Sequence, residues 1–274
     1  MPRLRLTLAY EGTAFAGSQV QPGRRTVQGV LEEAVQALAG DPIRTHFAGR
    51  TDAGVHAIGQ VVHLDTARVM EPDEWRRALN AHLPPDVRIT NVAFATEAFH
   101  ARYSARWREY RYQIGNGPVQ APQDRLWAWH RREPLDVSAM QEAAQALAGE
   151  HAFAAFAGLG KGSPARADET VRTVRAAKWT VATCQWPLAG TSLTFTVEAN
   201  GFLPHMVRNM VGSLVIVGNG AAPVTWIAEL LRGRDRRLAG PTAPAHGLTL
   251  WRVRYDDDDG GTHVETGDVK VCRH

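Results

Sequence analysis

The sequence predicts an α+β fold made of two successive βαββαβ halves. Three observations carry this: segments of period-two hydrophobicity alternate with segments of helical period, the same order of six elements occurs in residues 3–95 and again in 106–255, and Gly and Pro separate the elements.

In the first half, Leu4, Leu6, Leu8 and Tyr10 share one face of a strand, with Arg3, Arg5 and Thr7 on the other. From Val27, the positions Val30, Leu31, Ala34, Val35 and Leu38 keep helical spacing, with Thr26 as N-cap and Gly40 as stop. Residues 43–49 and 59–66 read as two strands joined by a loop around Asp52. Pro72, Trp75, Ala78 and Leu79 mark a second helix, and Val87, Ile89, Val92 and Phe94 a last strand.

The second half begins with a strand at 106–114. Asp136 caps a helix running to about Ala148, and strands follow at 171–181 and 191–199. Helical segments at 204–217 and 223–231 precede a final strand at 248–255. No sequence motif repeats between the halves. Each half is a split βαβ unit of the ferredoxin-like and RNA-recognition type. Together they are expected to form one extended, mostly antiparallel sheet with helices on one side and a central cleft. The expected division is 1–105, 106–255, and a flexible acidic tail over 256–274.

Composition supports a globular chain: 274 residues with 44% hydrophobic content can fill a core. The 31 Lys and Arg against 28 Asp and Glu give a net charge of +3, and the acidic tail masks a larger excess. Residues 256–274 hold six acids and two bases, which leaves 29 bases and 22 acids, or +7, in the body. That charge favours an anionic partner without naming it. Two cysteines, Cys184 and Cys272, make neither a disulfide framework nor a zinc site, and a reducing cytoplasm is the expected setting. Residues 1–6 lack the apolar run of a signal peptide, and no apolar segment has membrane length.

Chemistry concentrates at Gly49-Arg50-Thr51-Asp52-Ala53-Gly54-Val55-His56, where a carboxylate, two cations and two turn glycines crowd together. Asp52 is the candidate catalytic group. Arg50, two residues earlier, points the same way in extended chain, and a carboxylate beside a guanidinium stays ionised, as a nucleophile or base must. A structural turn with a surface ion pair is the competing reading. Residues 99–112 interleave Arg102, Arg106, Arg108 and Arg111 with Tyr103, Trp107, Tyr110 and Tyr112. Arg106, Arg108, Tyr110 and Tyr112 share one parity, so guanidinium groups for phosphates and rings for bases face one way. Arg208 sits among apolar neighbours in Pro204–Val211 and needs a carboxylate or a phosphate. His46, His56 and His63 lack a matching second ligand cluster, so no metal is expected. The basic loop 158–168 reads first as a plain connection, with a substrate-facing loop as the alternative; its Gly-x-Gly lacks the helix that a phosphate fingerprint requires.

The eight-residue Asp52 segment resembles the signature of the TruA family of tRNA pseudouridine synthases. The resemblance extends to Tyr10-Glu11-Gly12 with Gln19 and Gln21, Gly59-Gln60-Val61-Val62-His63, Phe99–Ala105, Tyr110-Arg111-Tyr112 and His205–Asn209, in the family's order over residues 10–255. It implies that Asp52 attacks the target uridine, that Tyr110 contacts the flipped uracil and that Arg208 pairs with Asp52 across the cleft. Arg50 is then left to RNA or to the loop, with Arg102, Arg106 and Arg108 as further substrate contacts. Leu248 or Leu250 is placed at the pocket floor. The resemblance further implies a homodimer acting on tRNA positions 38–40, without metal or nucleotide cofactor, with Met206–Val217 as a candidate interface. One departure is Ser18, where the family commonly has an aromatic residue. A noncatalytic tandem RNA-binding protein is the main alternative; a small-molecule nucleotide enzyme is disfavoured by the absence of a P-loop or Rossmann fingerprint.

Overall fold

The computed structural model describes residues 1–158, 168–184 and 190–256. The connection at 159–167, Cys272 and the rest of the acidic tail lie outside the described residues. Among these residues the chain folds as a ten-stranded, mostly antiparallel sheet with five α-helices. The first strands and helices are β1 (Arg3–Tyr10), α1 (Val27–Ala39), β2 (His46–Phe47), β3 (His56–Asp65), α2 (Pro72–His82) and β4 (Val87–Ala95). There follow β5 (Trp107–Asn116), β6 (Trp129–Arg131), α3 (Val137–Gln145), β7 (Gly149–Ala152), β8 (Val171–Cys184), β9 (Gly190–Ala199), α4 (Met206–Gly218), α5 (Trp226–Gly233) and β10 (Leu248–Arg254). The sheet order is β4-β1-β3-β10-β5-β9-β8-β7, with β2 on β3 and β6 on β5.

The period-two face of β1 is the core face: Leu4, Leu6, Leu8 and Tyr10 are buried, and the residues between them are partly covered. Thr26 caps α1 by accepting the Gly29 amide, and Gly40 ends it in the left-handed region. In α2, Glu71 at the N-cap and Glu74 at the third helical position form a capping box around Pro72, and Trp75 and Leu79 are fully buried. The seam between the early and late strands is the parallel pairing of β3 with β10, His56 opposite Thr249 and Ala57 opposite Leu250. Gly59 permits that approach, since a Cβ there would overlap the Trp251 carbonyl.

The strand expected over 43–49 is reduced to His46 and Phe47, for a local reason. The Thr45 amide and hydroxyl both donate to Glu32 Oε1 at 2.9 and 3.0 Å, and Gln28 Nε2 donates to the Thr45 carbonyl at 3.0 Å. Side chains of α1 thus satisfy backbone groups that a ladder would otherwise use. Strands β6 and β7, of three and four residues, have no periodicity to find. Helix α4 is apolar on nearly all sides because it is buried on nearly all sides, by α3, α5 and β5 among others. Met206–Val217 is therefore core of this chain, and the alternative reading of the stretch as a subunit interface is set aside.

Candidate active site

The sheet topology brings Asp52 and Tyr110 together. The Asp52 loop feeds directly into β3, whose start lies beside β10; in β10, Leu250 stands opposite Tyr110 of β5. The loop itself is held from both sides. Gly12 donates its amide to His56 Nδ1 at 3.0 Å, while His56 Nε2 lies 2.7 Å from the Leu126 carbonyl and 3.1 Å from that of His246. Those contacts define the tautomer: Nδ1 accepts and Nε2–H donates. His56 is fully buried, and burial lowers its pKa, so the ring stays neutral. On the other side, the Ser18 amide donates to the Thr51 carbonyl at 3.1 Å and the Thr51 amide donates to Ser18 Oγ at 2.9 Å. Tyr10 hydroxyl pairs with Thr51 Oγ1 at 2.9 Å, and burial pushes its pKa up to about 12.

Asp52 opens onto a cleft of about 1410 Å³ lined by Arg44, Arg50, Arg102, Arg108 and Arg172 against two acids, Asp52 and Glu169. This exceeds the few hundred to 1,000 Å³ common for metabolite pockets, and its charge suits a large anion. Leu248 and Leu250 lie on its lining, as does Tyr110, which packs edge-on against Phe202 with ring centroids 5.1 Å apart. Burial first, then Tyr10 and Asp52, pushes the Tyr110 phenol well above its usual pKa, so it remains a neutral hydroxyl.

The cation that reaches Asp52 is Arg208. Its Nη1 lies 3.3 Å from Asp52 Oδ2 while its Nε donates to the Ala243 carbonyl at 2.7 Å. His205 Nε2 stands 3.6 Å from the same oxygen. Among the described residues no ion pair joins Arg50 to Asp52; Arg50 lines the cleft instead.

Two arginines of the 99–112 segment are placed differently from an open, phosphate-facing strand. Arg106 precedes β5, lies off the cleft lining and pairs with Asp256 at 2.7 Å. Arg108 spends its terminal nitrogens on the carbonyls of Ala105, Asn200, Ala48 and Arg102, at 2.8–3.2 Å. From within the cleft wall it ties together the chain that follows β2, that precedes β5 and that follows β9. Arg102 and the exposed Tyr103 stay on the cleft rim, with the guanidinium 5.7 Å from the ring centre. His205, Arg44 and Arg172 are cleft residues the sequence reading did not single out.

His46, His63 and His100 bring ring nitrogens within 4.8 Å of one another. Their hydrogen bonds oppose a cation there: His63 Nδ1 accepts the Ala101 amide, and His100 Nδ1 accepts the amides of Arg102 and Tyr103. Each neutral ring then carries its proton on Nε2, where a metal would need a lone pair. The His46 and His63 rings are stacked, 4.8 Å apart.

This arrangement has close relatives. A family profile described as tRNA pseudouridine synthase matches residues 7–104 and 143–256. The chain belongs to that family. It is 50% identical over 256 residues to tRNA pseudouridine synthase A of Chloroflexus aurantiacus, covering 93% of this chain and 89% of that one. It is 43% identical to that of Myxococcus xanthus, over 94% and 93%, and 45% identical to that of Brevibacillus brevis, over 93% and 100%. As a tRNA pseudouridine synthase the chain is an isomerase acting on tRNA. No helix among the described residues is long and apolar enough to cross a membrane.

Proposed function

We propose that this enzyme converts uridine to pseudouridine at positions 38–40 of the tRNA anticodon arm, with Asp52 as nucleophile or base. The observation that carries this reading is the Asp52 carboxylate beside Arg208, at 3.3 Å, in a cationic cleft lined by Tyr110 and Leu250. The reaction breaks the bond from N1 to C1′, turns the uracil and rejoins C1′ to C5. It is redox-neutral and uses no external energy source. Asp52 attacks uracil C6 or the sugar, or takes a sugar proton to give a glycal. The stacked target base is everted first, at a cost of a few kcal/mol that the cationic surface offsets. Tyr110 then contacts the uracil from the wall and Leu250 supports it from the floor. Arg50 and Arg102 offer positive charge to phosphates along the cleft, with Arg44, paired to Glu32 at 3.4 Å, beside them.

The reading also includes two halves, 1–105 and 106–255, that share the cleft, and a cytoplasmic homodimer across which one tRNA lies. The support for a shared cleft is that Asp52 comes from one half while Tyr110 and Arg208 come from the other.

The test uses tRNA tritiated at uracil C5, because joining C5 to the sugar expels that hydrogen. The protein is expected to release tritium, and Asp52→Asn to release none while folding and binding tRNA. Equal release by the variant would refute the role of Asp52; no release by the folded parent from unmodified anticodon-arm uridines would refute the substrate.

A further inference from the structure

We infer that His205 is the base that removes the proton from uracil C5 after the new carbon–carbon bond has formed, an inference that rests on the Asp52-centred reading above. The reaction needs two separate proton or nucleophile tasks at one spot, and Asp52 is already committed to the first. Among the described residues, the cationic or imidazole side chains within 4.0 Å of Asp52 are Arg208 and His205. A guanidinium cannot accept a proton, and an imidazole can. The neighbouring phenols are poor substitutes: burial raises the pKa of Tyr110 and Tyr10, so neither is a phenolate near neutral pH.

The placement of His205 is unusual. Among the described residues it is one of two non-glycine residues with positive φ, at φ 59° and ψ 1°, immediately before α4. Its side chain makes no capping bond to the helix, so capping does not account for that backbone. Non-glycine residues held in the left-handed region cluster at functional sites. Here the conformation sets the imidazole on the cleft wall with its Nε2 edge toward Asp52. The Nδ1 edge is backed by Gly158, where an added Cβ would lie 3.0 Å from Nδ1. At 3.6 Å, Nε2 is too far from Asp52 Oδ2 for a hydrogen bond, and 41% of the side chain is exposed. The nitrogen is thus beside the reacting centre without being spent on the carboxylate.

The step balances. Once C1′ is joined to C5, that carbon still holds its hydrogen. His205 Nε2 takes it as a proton, and the electron pair of the C5–H bond forms the C5=C6 double bond. If Asp52 had added to C6, the C6–O bond breaks and the carboxylate leaves, N1 having taken up a proton when its bond to C1′ broke. Otherwise the displaced C6–N1 π pair goes to N1, which takes up a proton. His205 returns its proton to solvent, and the net change is an isomerisation.

The test compares tRNA carrying hydrogen or deuterium at C5 of the target uridine, in single turnover, with two variants. His205→Asn suits the left-handed backbone but is not a base; His205→Gly leaves room for added imidazole. His205→Asn is expected to bind tRNA like the parent, to form pseudouridine on the order of 100-fold more slowly, and to show a C5 isotope effect larger than the parent's. Imidazole is expected to restore rate to His205→Gly. The inference is overturned if either folded variant keeps the parent's rate, or if both are slow with no larger isotope effect and no rescue. Absence of product with the parent would instead overturn the Asp52 reading and this inference together.

Discussion

Arg208 touches Asp52 with only one edge of its guanidinium: Nη1 lies 3.3 Å from Oδ2, while Nε is fixed on the Ala243 carbonyl at 2.7 Å. The Ala243 amide in turn donates to the Arg208 carbonyl at 3.1 Å. The 241–244 segment therefore acts as a brace that aims the cation at a carboxylate 156 residues away in sequence. A lysine has the charge but a single donor centre, and cannot hold the brace and the carboxylate together. Arg208→Lys should fold, bind tRNA and lose roughly 10²-fold in single-turnover rate, the scale for removal of one preorganised electrostatic contact. Unchanged turnover would show that charge alone suffices.

Ser18 gives a second prediction. It is buried, and its hydroxyl is the acceptor for the buried Thr51 amide, one residue before Asp52. Ser18→Ala removes the acceptor and leaves an amide unpaired, which costs about 1–3 kcal/mol. Denaturant titration should show that loss, together with a lower kcat, since the freed amide lies next to Asp52. A neutral result would mean that water replaces the hydroxyl.

Much of this was legible in the sequence where a pattern runs long enough. The alternation in β1, the Thr26 cap and the Gly40 stop of α1, and the Asp52 loop all carry local signals that tertiary context did not override. The shortening of β2 was not legible, because Glu32 and Gln28 compete for its backbone from a helix 13–17 residues away. Arg108 shows the same limit within the site. Its spacing marks it as a cation facing the cleft, but only the fold reveals four carbonyls converging on it. His205 entered only as the first residue of the His205–Asn209 segment: nothing local in the sequence marks its positive φ or its approach to Asp52, 153 residues away.

The seam between β3 and β10 offers a third prediction. A Cβ at Gly59 would meet the Trp251 carbonyl, which is backbone in a paired strand and cannot swing aside. Gly115 lies in β5 with open space around it and serves as the control. Gly59→Ala should destabilise by about 1–3 kcal/mol, as overpacking does, and should lower turnover because the same seam aligns Asp52 with Tyr110. Gly115→Ala should change neither by a comparable amount. Thermal melts and tritium release on the pair test this directly; a stable, active Gly59→Ala would show that the seam can shift.

Acid sensitivity is the last prediction, and it comes from the histidine cluster. Burial, with His100 and His46 as the next contributors, lowers the His63 pKa to about 4, and burial lowers those of His100 and His56 as well. Each ring is thus neutral in the fold yet titrates near 6.5 when unfolded. The unfolded chain then binds more protons at mildly acid pH, so stability falls as pH drops below about 6.5 and the His63 contribution levels off near 4. Above about 7 these groups contribute no slope. The Asp65 carboxyl, lowered by its hydrogen bond to Arg3, titrates below 3.8 and acts outside that window. His63→Asn keeps an acceptor near the Nδ1 position for the Ala101 amide but has nothing to protonate. Urea midpoints between pH 7.5 and 5 should therefore fall steeply for the parent and less steeply for this variant. Parallel lines would place the acid-sensitive protons elsewhere in the fold.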